Sequence, residues 1–70
     1  MNHDVFKIIE LAGTSSQSVE DAIQTAIQRA SKTIRGMSWF EVTQTRGRIE
    51  NGQIVEYQVA IKVGFKLDGQ

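Results

Sequence analysis

The chain has 70 residues, no cysteine and one histidine, His3, so a single domain over residues 1–70 is the most it can hold. Disulfides and thiolate metal sites are excluded and no metal site is expected, which leaves association with other copies to support a core this small. Eight basic residues balance eight acidic ones, so no global field draws the chain to nucleic acid, and no stretch is long and apolar enough to span a membrane.

The opening "MNHDVFKIIE" lacks the basic, then apolar, then small-residue order of a signal peptide, and a cytoplasmic location is the expectation. Residues 5–12, "VFKIIELA", are rich in β-branched and aromatic side chains and predict a strand. Phe6 and Ile8 fall on one face and Val5, Ile9 and Leu11 on the other. Apolar residues on both faces predict a strand covered on both. Gly13 reads as its end.

Thr14, Ser15, Ser16 and Ser18 all suit a helix N-cap, because a hydroxyl accepts from an orphan backbone N–H. Thr14 with Gln17 and Ser18 with Asp21 both resemble capping boxes, and spacing does not choose between them. Val19, Ala22, Ile23, Ala26, Ile27, Ala30, Thr33, Ile34 and Met37 recur at helical steps, and Gly36 reads as the helix stop. The alanines on this stripe imply a close approach to a sheet. Arg29, Lys32 and Arg35 gather toward the C-terminal end, where positive charge complements the helix dipole without any ligand.

Residues 38–49 and 53–67 predict two long strands joined by "ENGQ". Asn51 and Gly52 both accept positive φ, the signature of a two-residue hairpin turn. That turn fixes a register in which Ile49 faces Ile54, Val42 faces Ile61 and Phe40 faces Val63. Phe40, Val42, Tyr57, Val59, Ile61, Val63, Phe65 and Leu67 then share one face, which the helix is expected to cover. The fold class is α+β, a β-α-β-β unit with one helix on a three-stranded sheet. The crossover rule makes the first two strands parallel, with the third between them in order 1-3-2.

On that register Trp39, Glu41, Thr43 and Thr45 face away from the helix. Gly64 lies opposite Trp39 and leaves space before the indole. Lys62 lies opposite Glu41 as an ion pair, and Gln58 opposite Thr45. Two readings compete for the lone tryptophan. It anchors an interface, as tryptophan often does, in a protein-interaction or structural module. Alternatively it is a stacking platform for a planar ligand, with the Gln58 amide offering a donor and an acceptor to a pyrimidine-like edge. Glu41 and Glu56 suit cross-strand ion pairs or a solvated surface. No nucleophile–base pair appears, so no catalytic residue is assigned.

The stretches "ELAGTSSQSVEDAI", "SWFEV…RG", "NG" and "YQV…KVGFKL" resemble the dodecins, small flavin-binding proteins of bacteria and archaea, over residues 5–67. The resemblance implies a hollow assembly of 12 subunits that stores or sequesters flavin as stacked pairs between tryptophans of neighbouring copies, quenches it, and is no enzyme. By position, Trp39 matches the stacking residue, Gln58 the amide on the pyrimidine edge and Arg46 an arginine of bacterial members. The implied ligand is flavin mononucleotide (FMN), or else riboflavin or FAD. Coenzyme A is implied as a further ligand, with Arg29, Lys32 and Lys66 as phosphate contacts. Ser38 stands where many bacterial relatives have aspartate, and Lys66 where arginine is common, keeping the charge without the bidentate fork. Strict alternation places Arg46 on the Phe40 side, so reaching the ligand requires a bulge or twist near Gly47 or a second subunit.

Overall fold

The computed structural model describes residues 3–67; residues 1–2 and 68–70, at the ends of the expected domain, lie outside the described residues. Strand β1 (Phe6–Ser15), helix α1 (Val19–Ala30), strand β2 (Met37–Glu50) and strand β3 (Gln53–Lys66) follow in order. The sheet order is β1-β3-β2, and both outer strands run antiparallel to β3, as the crossover argument predicts.

Gly13 does not end β1, which runs on to Ser15. A Cβ at Gly13 would sit 2.5 Å from the Ala22 carbonyl oxygen and 2.9 Å from the Ala26 Cβ. Glycine on the strand and alanines on the helix therefore permit the close approach together. Ser18 is the N-cap, its Oγ accepting from the Asp21 backbone N–H at 2.9 Å. The capping box is not reciprocal. Asp21 Oδ2 instead accepts from Ser15 Oγ at 2.6 Å, and Ser15 Oγ accepts from the Gln17 N–H at 2.8 Å. One buried hydroxyl thus fastens the end of β1 to the start of α1.

The helix stops at Ala30, short of the expected Gly36. Ser31 Oγ donates to the Gln28 carbonyl at 2.7 Å, and the Lys32 and Thr33 N–H groups make three-residue turns to Arg29 and Ala30. Hydroxyl residues compete for the last carbonyls and unwind the stripe before its apolar period ends. Gly36, at φ 78°, leads into β2 instead, its carbonyl accepting from the Lys66 N–H at 3.2 Å.

The buried core is Ala22, Ala26, Val59, Ile61 and Val63, with Ile9, Leu11, Val19, Ile23, Ile27 and Met37 packed around it. The helix lies over β1 and β3 and does not cover the whole expected face. On β2, Phe40 and Val42 remain 48% and 38% exposed. Nor is β1 covered on both sides within one chain, since Val5, Phe6 and Ile8 are exposed. No helix among the described residues is long and apolar enough to cross a membrane.

Candidate functional site on the helix-free face

The Asn51-Gly52 turn, with φ 53° and 76°, sets the hairpin register at Ile49 opposite Ile54. Beyond it β3 carries one extra residue, since Arg48 pairs with Glu56 and Val55 is left over. Further along β2, Thr43 is left over between the Val42–Ile61 and Gln44–Ala60 pairs. Its hydroxyl donates to the Ala60 carbonyl at 3.0 Å. These two bulges offset one another, so Phe40, Val42, Glu41 and Trp39 meet their expected partners. Between them the register is shifted by one residue, which turns every β2 side chain to the opposite face.

That shift places Arg46 opposite Gln58 on the helix-free face. Thr45, expected there, pairs with Val59 on the helix side. Arg46 Nε donates to Gln58 Oε1 at 3.0 Å, and Gln58 Nε2 donates to Glu56 Oε1 at 2.9 Å. Arg48 donates to the same Glu56 oxygen at 3.4 Å and to Glu50 at 3.0 Å. The Gln58 hydrogen bond, aided by the Arg48 guanidinium and opposed by partial desolvation, holds the Glu56 carboxyl below its ordinary value of 4.5. The expected Glu41–Lys62 ion pair does not form among the described residues, although the two stand opposite one another.

Trp39 occupies the other end of the same face. Its indole lies directly over Gly64, filling the space the glycine leaves, so that a Cβ there would collide with the ring. The Phe6 ring meets it edge-on, with centroids 6.2 Å apart and planes at 61°. The indole stays 38% exposed. Lys66 pairs with Phe6 across the strands, and its Nζ lies 3.2 Å from Asp4 Oδ1. Arg29 closes the last turn of α1 and Lys32 follows it, both exposed.

The structure therefore joins Arg46 to Gln58, and Trp39 to Phe6 and Gly64, but keeps these groups apart. Gly64, beneath the indole, and Gln58 are six residues apart on β3, about 20 Å at the rise of a strand. Glu56 and Phe6 were not singled out for the site by sequence. The signals were present: Glu56 shares the Gln58 face by alternation, and Phe6 follows from the order 1-3-2.

The family model described as Dodecin matches residues 5–68. The chain is 50% identical to the Dodecin of Thermus thermophilus over 64 residues, which is 91% of this chain and 93% of that protein. The solved dodecin from Streptomyces coelicolor superposes with a TM-score of 0.89 at 44% identity, covering 100% of both chains. The solved calcium dodecin of Mycobacterium tuberculosis is more distant, with a TM-score of 0.77 at 31% identity, covering 94% of this chain and 96% of that one.

Proposed function

The chain belongs to the dodecin family, and from that premise we propose that it binds and sequesters a flavin, FMN foremost, between copies of itself. The observation that carries this reading is the partly exposed indole seated over Gly64 on a face that the helix does not cover. Such a ring is preorganised for stacking, since Gly64 and Phe6 already fix its plane.

The donor set fits the ligand. Gln58, after bonding Arg46 and Glu56, keeps one lone pair and one amide hydrogen for a pyrimidine edge. Arg46 and Lys66 supply positive charge for a phosphate. The backbone positions of Gly64, beneath the indole, and of Gln58 stand about 20 Å apart along β3, longer than one ring system. The pocket is accordingly closed by residues of different copies, in keeping with a hollow assembly of 12 subunits. Two facing tryptophans would then hold a stacked pair of flavins. A bound flavin supplies a photoexcitable ring, and indole contact quenches it, which suits storage or photoprotection rather than turnover.

Coenzyme A is a further ligand of this reading, with its phosphates near Arg29 and Lys32. Arg29 also complements the α1 dipole, a role that needs no ligand. A relative from Mycobacterium tuberculosis is named a calcium dodecin, and among the described residues of this chain no three His, Cys, Asp or Glu side chains gather into one group.

Titration with FMN, following flavin and tryptophan emission together, tests the reading. Both emissions fall on binding, and Trp39→Ala abolishes the effect while the oligomer persists. A protein that assembles but leaves FMN emission unchanged is an interaction module with Trp39 as its anchor. Sustained substrate-dependent flavin turnover identifies an enzyme instead.

A further inference from the structure

We infer that Glu56 is a positioning residue that fixes which end of the Gln58 amide donates and which accepts, and so sets the polarity of the ligand edge the site takes. The inference rests on the flavin reading for its ligand, and on this chain's own hydrogen bonds for its geometry.

An amide in isolation flips at little cost, exchanging its donor and acceptor ends. Gln58 is held between two groups that cannot exchange roles. Arg46 Nε only donates, so the amide atom facing it at 3.0 Å must be the oxygen. The Glu56 carboxylate only accepts, so the amide atom facing it at 2.9 Å must be the nitrogen. A flipped amide would set NH2 against guanidinium and oxygen against carboxylate, losing two charge-assisted hydrogen bonds together. The Glu56 carboxylate is kept ionised by this contact and by Arg48 at 3.4 Å. The bulges at Thr43 and Val55 make the arrangement possible, because without them Arg46 would face the helix side.

A ligand that meets Gln58 in this state must present its carbonyl oxygen on the Glu56 side and its N–H on the Arg46 side. Imide and lactam edges carry that adjacent pair, and a ring whose N–H bears a methyl group does not.

The test uses the assembled full-length chain and the variants Glu56→Leu and Glu56→Gln, with riboflavin and N3-methylriboflavin as probes. Riboflavin affinity is expected to fall about three- to tenfold in Glu56→Leu, with reduced discrimination against the N3-methyl compound. Glu56→Gln keeps an acceptor and recovers part of both. In ligand-free protein, the Gln58 side-chain amide proton bonded to Glu56 is expected downfield in NMR spectra, and to return toward its free position in Glu56→Leu. An unchanged Gln58 resonance in Glu56→Leu overturns the inference. So does unchanged affinity and discrimination in a variant of a protein that binds riboflavin. A wild-type chain that binds neither flavin overturns the functional reading instead, while the amide resonance still reports whether Glu56 holds Gln58.

Discussion

Gly64 is the residue on which the indole most directly depends. Its Cα lies under the ring, and any Cβ would occupy the space of the indole itself. Gly64→Ala must displace Trp39 from its seat against Phe6. The expected outcome is red-shifted tryptophan emission and loss of FMN quenching, with β-sheet circular dichroism preserved; unchanged emission and quenching would show that the seat is not needed. Glu56 gives a second prediction at this scale. Its carboxyl is held below 4.5, chiefly by the Gln58 amide. A carboxyl depressed in the folded state adds stability above its unfolded value, and that stability is lost as pH falls through the folded value, below 4.5. NMR titration should find Glu56 below that value in the wild type and moved up toward it in Gln58→Leu. Equal values in both proteins would remove Gln58 as the cause.

Among the elements, the junction of β1 and α1 is the most exacting. Gly13→Ala drives a methyl group into the Ala22 carbonyl and the Ala26 side chain, neither of which can swing aside. Overpacking of this kind costs about 1–3 kcal/mol, read as a lower midpoint of chemical denaturation; an unchanged midpoint would mean that the helix rides clear of the strand. The hairpin was legible because Asn51-Gly52 is a local signal that fixes a whole register, and its far end, Trp39 over Gly64, fell where that register placed it. The middle was not legible. Thr43 and Val55 carry no residue-type signal of a bulge, and the two insertions cancel between Ile49 and Val42, so Val42, Phe40 and Trp39 keep their expected partners; a third irregularity, at Ser38, lies beyond them. Alternation alone therefore puts Arg46 on the helix side unless a bulge or twist near Gly47 redirects it, and the bulges that do redirect it lie at Thr43 and Val55, on either side of that glycine. The helix end was misread for a related reason. The apolar stripe continues through Ile34 and Met37, but Met37 reaches the core from β2 rather than from α1.

For the whole molecule, the small core and the long hairpin do not match. The extents are 56 × 21 × 13 Å, and the buried hydrophobics among the described residues are two alanines, two valines and one isoleucine. Phe40, Val42, Ile49 and Ile54 on the hairpin are exposed, at 48%, 38%, 72% and 59%. An apolar groove of about 300 Å³ runs between Val19, Thr45, Gly47, Ile49, Ile54 and Tyr57. A two-stranded ribbon with bare apolar side chains is not stable by itself in water, and β2 is an open edge. Burial against other copies would remove both problems, and folding would then be tied to assembly. If association carries the stability, the unfolding temperature rises with protein concentration, because dissociation precedes or accompanies unfolding. Phe40→Asp, placed on the exposed helix side of β2, should yield a chain that neither assembles nor unfolds cooperatively. Light scattering and thermal circular dichroism on the same samples measure both quantities. A Phe40→Asp monomer with a sharp, concentration-independent transition would show that the five-residue core suffices, and that a flavin pocket closed between copies, as proposed, would need another origin than the association that holds the fold.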